Sequence, residues 1–258
     1  MDISLSGRAA IITGGSKGLG YAIAMRFAQS GADVVICSRG REALDKAVAE
    51  IKAQAKGRVI GVTGDVAVPA DITRIYDEAV KAFGKVDIVV NNAGTSRNLA
   101  FEDLTDEVWR EDMDQKVFAA IRMTRAAWKG MKERKWGRVI NVLNIGSKAP
   151  RAGSAPTTIS RAAGAALTKV LSHEGAPHNI LVNAMLVGFI ESDQHVQRAA
   201  KEGIALSEYV SRRVKDIPLK RIGKAEEFAN LACFLVSDQA SYITGTAINV
   251  DGGHSPVM

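Results

Sequence analysis

Short β-branched runs alternate with longer amphipathic segments along all 258 residues of this chain, and that rhythm restricts the folds open to it more than any other feature. Ala9–Thr13, Val34–Ser38, Val59–Thr63, Val86–Asn91, Val139–Leu143, Ile180–Leu186 and Ala247–Val250 read as strands. Between them Gly18–Ser30, Arg41–Ala53, Pro69–Phe83, Thr105–Arg134, Thr157–Glu174 and Lys224–Ser237 place apolar residues at three- and four-residue spacing, the period of a helix with one buried face. Alternation of this kind predicts a parallel sheet of about seven strands covered on both faces by helices. The length suits one α/β domain, 1–258, with no repeat, low-complexity tract or Pro/Ser-rich linker to divide it. Glu191 to Arg221 breaks the rhythm as a long charged insertion, which is either a substrate lid or a solvated helical excursion.

Composition narrows the function classes. Hydrophobic residues make up 47% and charged residues 24%, as in ordinary globular proteins, and no apolar run reaches the length of a membrane span. The opening Met-Asp-Ile-Ser-Leu-Ser-Gly-Arg has neither an apolar signal-peptide core nor an Arg-rich transit pattern, so the expected location is the cytoplasm. The net charge of +6 is spread over 34 basic and 28 acidic side chains. No basic run interleaves with aromatics, which argues against nucleic acid while leaving a preference for anionic small molecules. Cys37 and Cys233 sit alone in apolar stretches and read as buried thiols, with no metal-ligand spacing.

Thr13-Gly14-Gly15-Ser16-Lys17-Gly18-Leu19-Gly20 follows a predicted strand and opens a predicted helix. In that context Gly14, Gly18 and Gly20 would supply a tight turn, close approach to a pyrophosphate and close helix packing, with Ser16, Lys17 and Leu19 completing the loop. Together with Asp65-Val66, Asn91-Asn92-Ala93-Gly94 and Val250-Asp-Gly-Gly253, this motif resembles the short-chain dehydrogenase/reductase family. The likeness runs from Leu5-Ser-Gly-Arg to the C-terminal Asp-Gly-Gly. It implies a Rossmann-type fold, a nicotinamide cofactor, a small-molecule substrate and assembly into homodimers or homotetramers. The resemblance also places Asp65 and Val66 at the adenine, Asn91, Ala93 and Gly94 beside the ribose and nicotinamide, and Ile190 and Ser192 at the carboxamide. An acidic residue at the end of the second strand would favour NAD; Ser38 and Arg39 stand there instead, with Lys17 nearby, and favour NADP.

The family's working set of Asn, Ser, Tyr and Lys aligns with Lys116, Asn144, Thr157 and Arg161. A Thr hydroxyl is a far weaker acid than a phenol of pKa about 10, and Arg does not release a proton usefully. Thr157 and Arg161 are four residues apart on one helix and share a face, so the two cations at 116 and 161 can approach one site mouth. Their chemistry suits electrostatic stabilisation of an oxyanion, with Lys116 able to titrate and Asn144 and Thr157 bonding the reacting oxygen. The expected function is an NADP-dependent oxidoreductase with a non-standard acid/base set, acting on a carbonyl or conjugated, negatively charged substrate. Two alternatives stay open: a non-redox lyase or hydratase using the same oxyanion clamp, and a catalytically inactive NADP-binding subunit.

Overall fold

A computed structural model describes residues 3–258, with the side chains of Asn98, Asp193 and Gln194 outside the description. The strands are β1 (Ala9–Thr13), β2 (Asp33–Ser38), β3 (Val59–Thr63), β4 (Ile88–Asn91), β5 (Asn98–Leu99), β6 (Gly137–Asn144), β7 (Ala155–Pro156), β8 (Ile180–Val187) and β9 (Ala247–Val250). The helices are α1 (Gly18–Gln29), α2 (Arg41–Lys52), α3 (Pro69–Phe83), α4 (Asp106–Met113), α5 (Ala119–Arg134), α6 (Thr157–Gly175), α7 (Asp193–Lys201), α8 (Leu206–Val214) and α9 (Ala225–Val236). Seven strands form one parallel sheet in the order β3-β2-β1-β4-β6-β8-β9. Strand order reverses between β1 and β4, and in open sheets of this kind ligands bind at that switch point, outside the carboxyl ends of the strands.

All five residues of β1 are buried, as expected of a strand covered on both faces. One core layer packs α1, α2 and α9 on the sheet through Ile23, Phe27, Leu44, Ile51 and Phe228. The other packs α3 and α5 through Ile75, Ala79, Met123 and Met131. Local chemistry marks the ends: Pro69 opens α3, where its missing N–H costs nothing, and Gly84 closes it at φ 80°. Among the described residues no helix is long and apolar enough to cross a membrane.

Three features depart from the expected element pattern. The single helix anticipated over Thr105–Arg134 is two helices joined by a turn of π-helix, Asp114–Phe118, which contains Lys116. The strand expected from Val86 begins at Ile88, where its pairing with Ala10 starts. A two-residue antiparallel ladder, Asn98 with Pro156 and Leu99 with Ala155, joins β5 to β7 and delivers the start of α6 to the Arg97 backbone. Segments of two residues carry no readable periodicity, so sequence patterning passes over them.

The insertion at 191–221 contains α7 and α8, beside a cluster of the Phe189, His195 and Tyr209 rings. Ala199, Tyr209 and Ile217 are each almost fully buried, and the Phe189 and His195 rings lie 4.2 Å apart. A backbone clasp closes its base: Glu191 N–H donates to Gly223 O at 2.9 Å, and Gly223 N–H donates to Phe189 O at 3.0 Å. The chain therefore leaves and re-enters the fold at neighbouring points.

Candidate active site

The glycine loop is held from beneath. Gly14 and Gly15 N–H groups both donate to Cys37 O on β2, at 3.0 and 3.2 Å. Thr13 Oγ1 donates to Val90 O at 3.2 Å and accepts from the N–H groups of Asn92 and Ala93, each at 3.0 Å. Asn92 Nδ2 returns the tie by donating to Thr13 O at 2.9 Å and Gly14 O at 3.2 Å. Thr13 and Asn92 thus brace the loop against the end of β4. Both lie within the quoted motifs, yet residue types alone do not show that their side chains are spent on bracing.

A β-carbon on Gly20 would overlap the Gly14 carbonyl, so α1 approaches the loop as only glycine permits. Gly18, at φ 57°, faces open space, where a β-carbon would meet nothing within 4 Å. The first turn of α1 has no side-chain cap and no acidic residue. An open glycine at an uncapped helix N-terminus is an anion cradle, and it fits a pyrophosphate. Ser16 and Leu19 lie half-buried in the same loop, and Lys17 precedes the helix with extended backbone.

At the end of β2, Arg39 is 66% exposed and its Nη1 lies 3.9 Å from Asp65 Oδ2, a loose pair that leaves the guanidinium accessible. Ser38 Oγ makes a long bond of 3.4 Å to Gly40 O. Asp65 Oδ1 accepts from Ala67 N–H at 2.9 Å, while Val66 turns inward and is buried in the second core layer. Asn91 is committed to the scaffold: its Nδ2 donates to Asn141 Oδ1 at 2.9 Å and Thr124 Oγ1 at 3.1 Å, knitting β4 to β6 and α5. At the far end Ile190 is buried, with His195 Nε2 donating to its carbonyl at 2.9 Å. Ser192 precedes α7, and among the described residues its side chain does not cap the helix.

Lys116, Thr157 and Arg161 meet beside Gly94. A β-carbon on Gly94 would lie 2.9 Å from Arg161 Nη2 and 3.3 Å from Lys116 Cγ, so glycine lets the two cations flank the backbone. Lys116 Nζ donates to Thr157 Oγ1 at 2.9 Å and forms a buried ion pair with Asp112. Burial pulls the Lys116 ammonium down to about 8; Arg161 and Arg97 push the same way and Asp112 opposes them. Burial likewise lowers Arg161 to about 10, and its Nη1 donates to Val142 O at 2.7 Å. A cavity of about 10 Å³ between these groups, lined also by Asn91, Asn141 and Ser160, approaches the room one water needs.

Thr157 differs from its expected part. Its hydroxyl accepts from Arg97 N–H and Lys116 Nζ and donates to Arg97 O, each at 2.9 Å, while the residue is 3% exposed. One donor and two acceptor sites are all that a hydroxyl has, so none remains for a reacting oxygen. Asn144, at the end of β6, is the opposite case: its Oδ1 is buried and has no hydrogen-bond partner among the described residues. A buried acceptor in this condition still has hydrogen-bonding capacity to offer.

The wider cationic cluster is partly engaged by the protein's own groups. Lys148 Nζ donates to Ala247 O at 2.6 Å, and Arg97 pairs with Glu111. Asp112, which sequence patterning did not single out, accepts from both Lys116 and Ser160 Oγ, the latter at 2.6 Å. A charged residue four positions before Lys116 was the available signal, but the same spacing is common on solvated helix faces. Cys37 and Cys233 are buried free thiols, Cys37 pushed up to about 12 by burial. No cluster of metal-ligating side chains occurs among the described residues.

Sheet order, switch point and glycine cradle define a Rossmann-type nucleotide-binding protein with a polar site at the carboxyl edge of its sheet. The family model described as enoyl-(acyl carrier protein) reductase matches residues 14–255. A 3-oxoacyl-[acyl-carrier-protein] reductase FabG of Aquifex aeolicus is 34% identical over 255 residues, covering 98% of this chain and 99% of the relative. Dehydrogenase/reductase SDR family member 4 of Oryctolagus cuniculus is 37% identical over 250 residues, covering 96% and 94%. The L-sorbose reductase of Gluconobacter frateurii, solved with NADPH and L-sorbose, superposes with a TM-score of 0.95 at 33% identity over 100% of both chains. The chain belongs to the short-chain dehydrogenase/reductase family, and these relatives are oxidoreductases.

Proposed function

We propose that this protein is an NADP-dependent oxidoreductase acting on a carbonyl or conjugated small molecule, with Lys116 in place of the family's proton-carrying tyrosine. The observation that carries the reading is the titratable ammonium of Lys116, buried between Asp112, Thr157 and Arg161 beside Gly94. The open loop at Gly18 would hold the pyrophosphate of the cofactor, Arg39 the 2′-phosphate, Asp65 the adenine, and Ile190 and Ser192 the carboxamide. NADPH-bound relatives, such as the sorbose reductase, support the choice of cofactor. Bound cofactor supplies the hydride.

The chain's own residues would manage charge and protons. Asn144 Nδ2 would donate to the substrate oxygen, while Oδ1, unpartnered among the described residues, would accept from a hydroxyl or water beside it. Lys116 keeps one of its three N–H donors free of the two bonds described above, and that donor can follow charge developing on the substrate. Arg161 Nη2, which the Val142 carbonyl does not engage, would add fixed positive charge. Thr157 would hold Lys116 and the Arg97 backbone in register without contacting substrate. A preference for anionic substrates rests on Arg161, Lys148 and the exposed Arg151, because Lys116 and Arg97 are already paired with carboxylates.

The test is oxidation of NADPH over a panel of ketones, hydroxyketones and acyl thioesters, followed by loss of reduced-nicotinamide absorbance. Turnover with at least one substrate class is expected, and Lys116→Met should lower it by roughly 10²–10⁴. In the reducing direction the rate should fall as pH rises through about 8, because the proton-bearing form of Lys116 is then lost. Tight NADPH binding without turnover across the panel would instead identify a cofactor-binding subunit. Product formation that ignores the cofactor's oxidation state would identify the non-redox enzyme.

A further inference from the structure

We infer that Asp112 is the positioning residue for Lys116: its carboxylate, fixed by Ser160, holds the buried ammonium beside Gly94 and keeps it able to carry a proton. The inference rests on the proposed role of Lys116, but its structural core stands without it. Lys116 and Asp112 side chains are each 1% exposed, and among the described residues Asp112 is the one acidic group paired with this lysine. A buried ammonium without a counter-charge would shed its proton or be expelled. Asp112 is fixed in turn, since Ser160 Oγ lies 2.6 Å from its Oδ2 and 3.0 Å from Thr157 O. Three elements therefore converge on one carboxylate: α4 supplies Asp112, the π turn supplies Lys116 and α6 supplies Ser160.

The π turn makes the geometry intelligible. It widens the helix at Asp114–Phe118, between α4 and α5. π-bulges of this kind recur at functional sites because they re-aim a side chain that an unbroken helix would place elsewhere. The charged groups that act on Lys116 are Asp112 from α4, Arg161 from α6 and Arg97 from the segment before β5. Of the charged groups the two arginines favour the neutral amine and Asp112 favours the ammonium, so removing the carboxylate leaves only the Thr157 hydrogen bond on the side of the ammonium.

The experiment uses the full chain without cofactor or substrate. Lysine labelled with ¹³C at Cε reports the protonation of Lys116 by NMR titration, with the signal assigned by its absence in Lys116→Met. Asp112→Asn should lower the Lys116 midpoint by at least one pH unit, while Asp112→Glu should recover part of the shift. Because Asp112→Asn can also destabilise the fold, its thermal midpoint is compared with that of the double variant Asp112→Asn/Lys116→Met. Loss of stability should be much smaller in the lysine-free background. An unchanged Lys116 midpoint in Asp112→Asn overturns the inference, and so does equal destabilisation in both backgrounds. Neither readout needs turnover, so failure of the proposed reaction and failure of this inference are distinguishable.

Discussion

At the scale of single residues, the site is governed by how many hydrogen bonds each polar atom has left to give. Thr157 has none, because the Arg97 backbone and Lys116 use its whole capacity. Thr157→Val keeps the shape but orphans the N–H and C=O of Arg97 in a half-buried setting. It should lower stability by about 1–3 kcal/mol in thermal or denaturant unfolding. Arg39 is the contrary case, exposed and, among the described residues, held by a loose pair with Asp65. Arg39→Ala should raise the Kd for NADPH by roughly ten- to a hundredfold, as expected for loss of a charged hydrogen bond, and leave NADH nearly unchanged. Calorimetry with both cofactors separates a 2′-phosphate contact from a general loss of affinity.

At the scale of elements, turns and breaks decide what the regular structure can present. The loop from β1 into α1 works because Gly20 lets the helix touch the Gly14 carbonyl while Gly18 leaves the cradle open. Gly20→Ala should therefore abolish measurable NADPH binding while circular dichroism still shows a folded chain, whereas Gly40→Ala, where a β-carbon meets nothing, should bind normally. Most of this level was legible in the sequence. Strand and helix periods located all seven strands of the main sheet and the bounds of α3 to the residue. The π turn was not legible, because five residues are too few to show a period of their own, and the β5–β7 ladder is shorter still. Those two irregular pieces are the ones that set Lys116 against Thr157.

At the scale of the molecule, α6 presents a stripe that the single chain does not cover. Ile159 and Val170 are 52% and 55% exposed, and Ala162 and Ala166 lie between them at helical spacing on the same exposed face. Gly164, from the same small-residue run, instead packs inward against Leu143. The run thus serves both roles at once: intrachain packing at Gly164 and an open face at its flanks. We expect the face to pair with another copy of the chain, since small residues let helices approach closely. Ile159→Glu/Val170→Glu should reduce the particle mass measured by size-exclusion with light scattering, and an unchanged mass would place the contact elsewhere.

The sequence by itself determined the parallel sheet, the glycine cradle and the cationic side of the site. Each of these is written in local period or in a contiguous motif, where neighbouring residues constrain one another directly. Only the tertiary structure decided how the polar capacity is spent. It committed Thr157 to the Arg97 backbone and Asn91 to Asn141, left Asn144 Oδ1 unpartnered among the described residues, and brought Asp112 and Ser160 to Lys116. Ser160 lies 48 positions from Asp112, and Arg97 lies 60 from Thr157. Hydrogen bonds across such separations depend on how helices pack and turns re-aim side chains, and no local pattern of residue types encodes that.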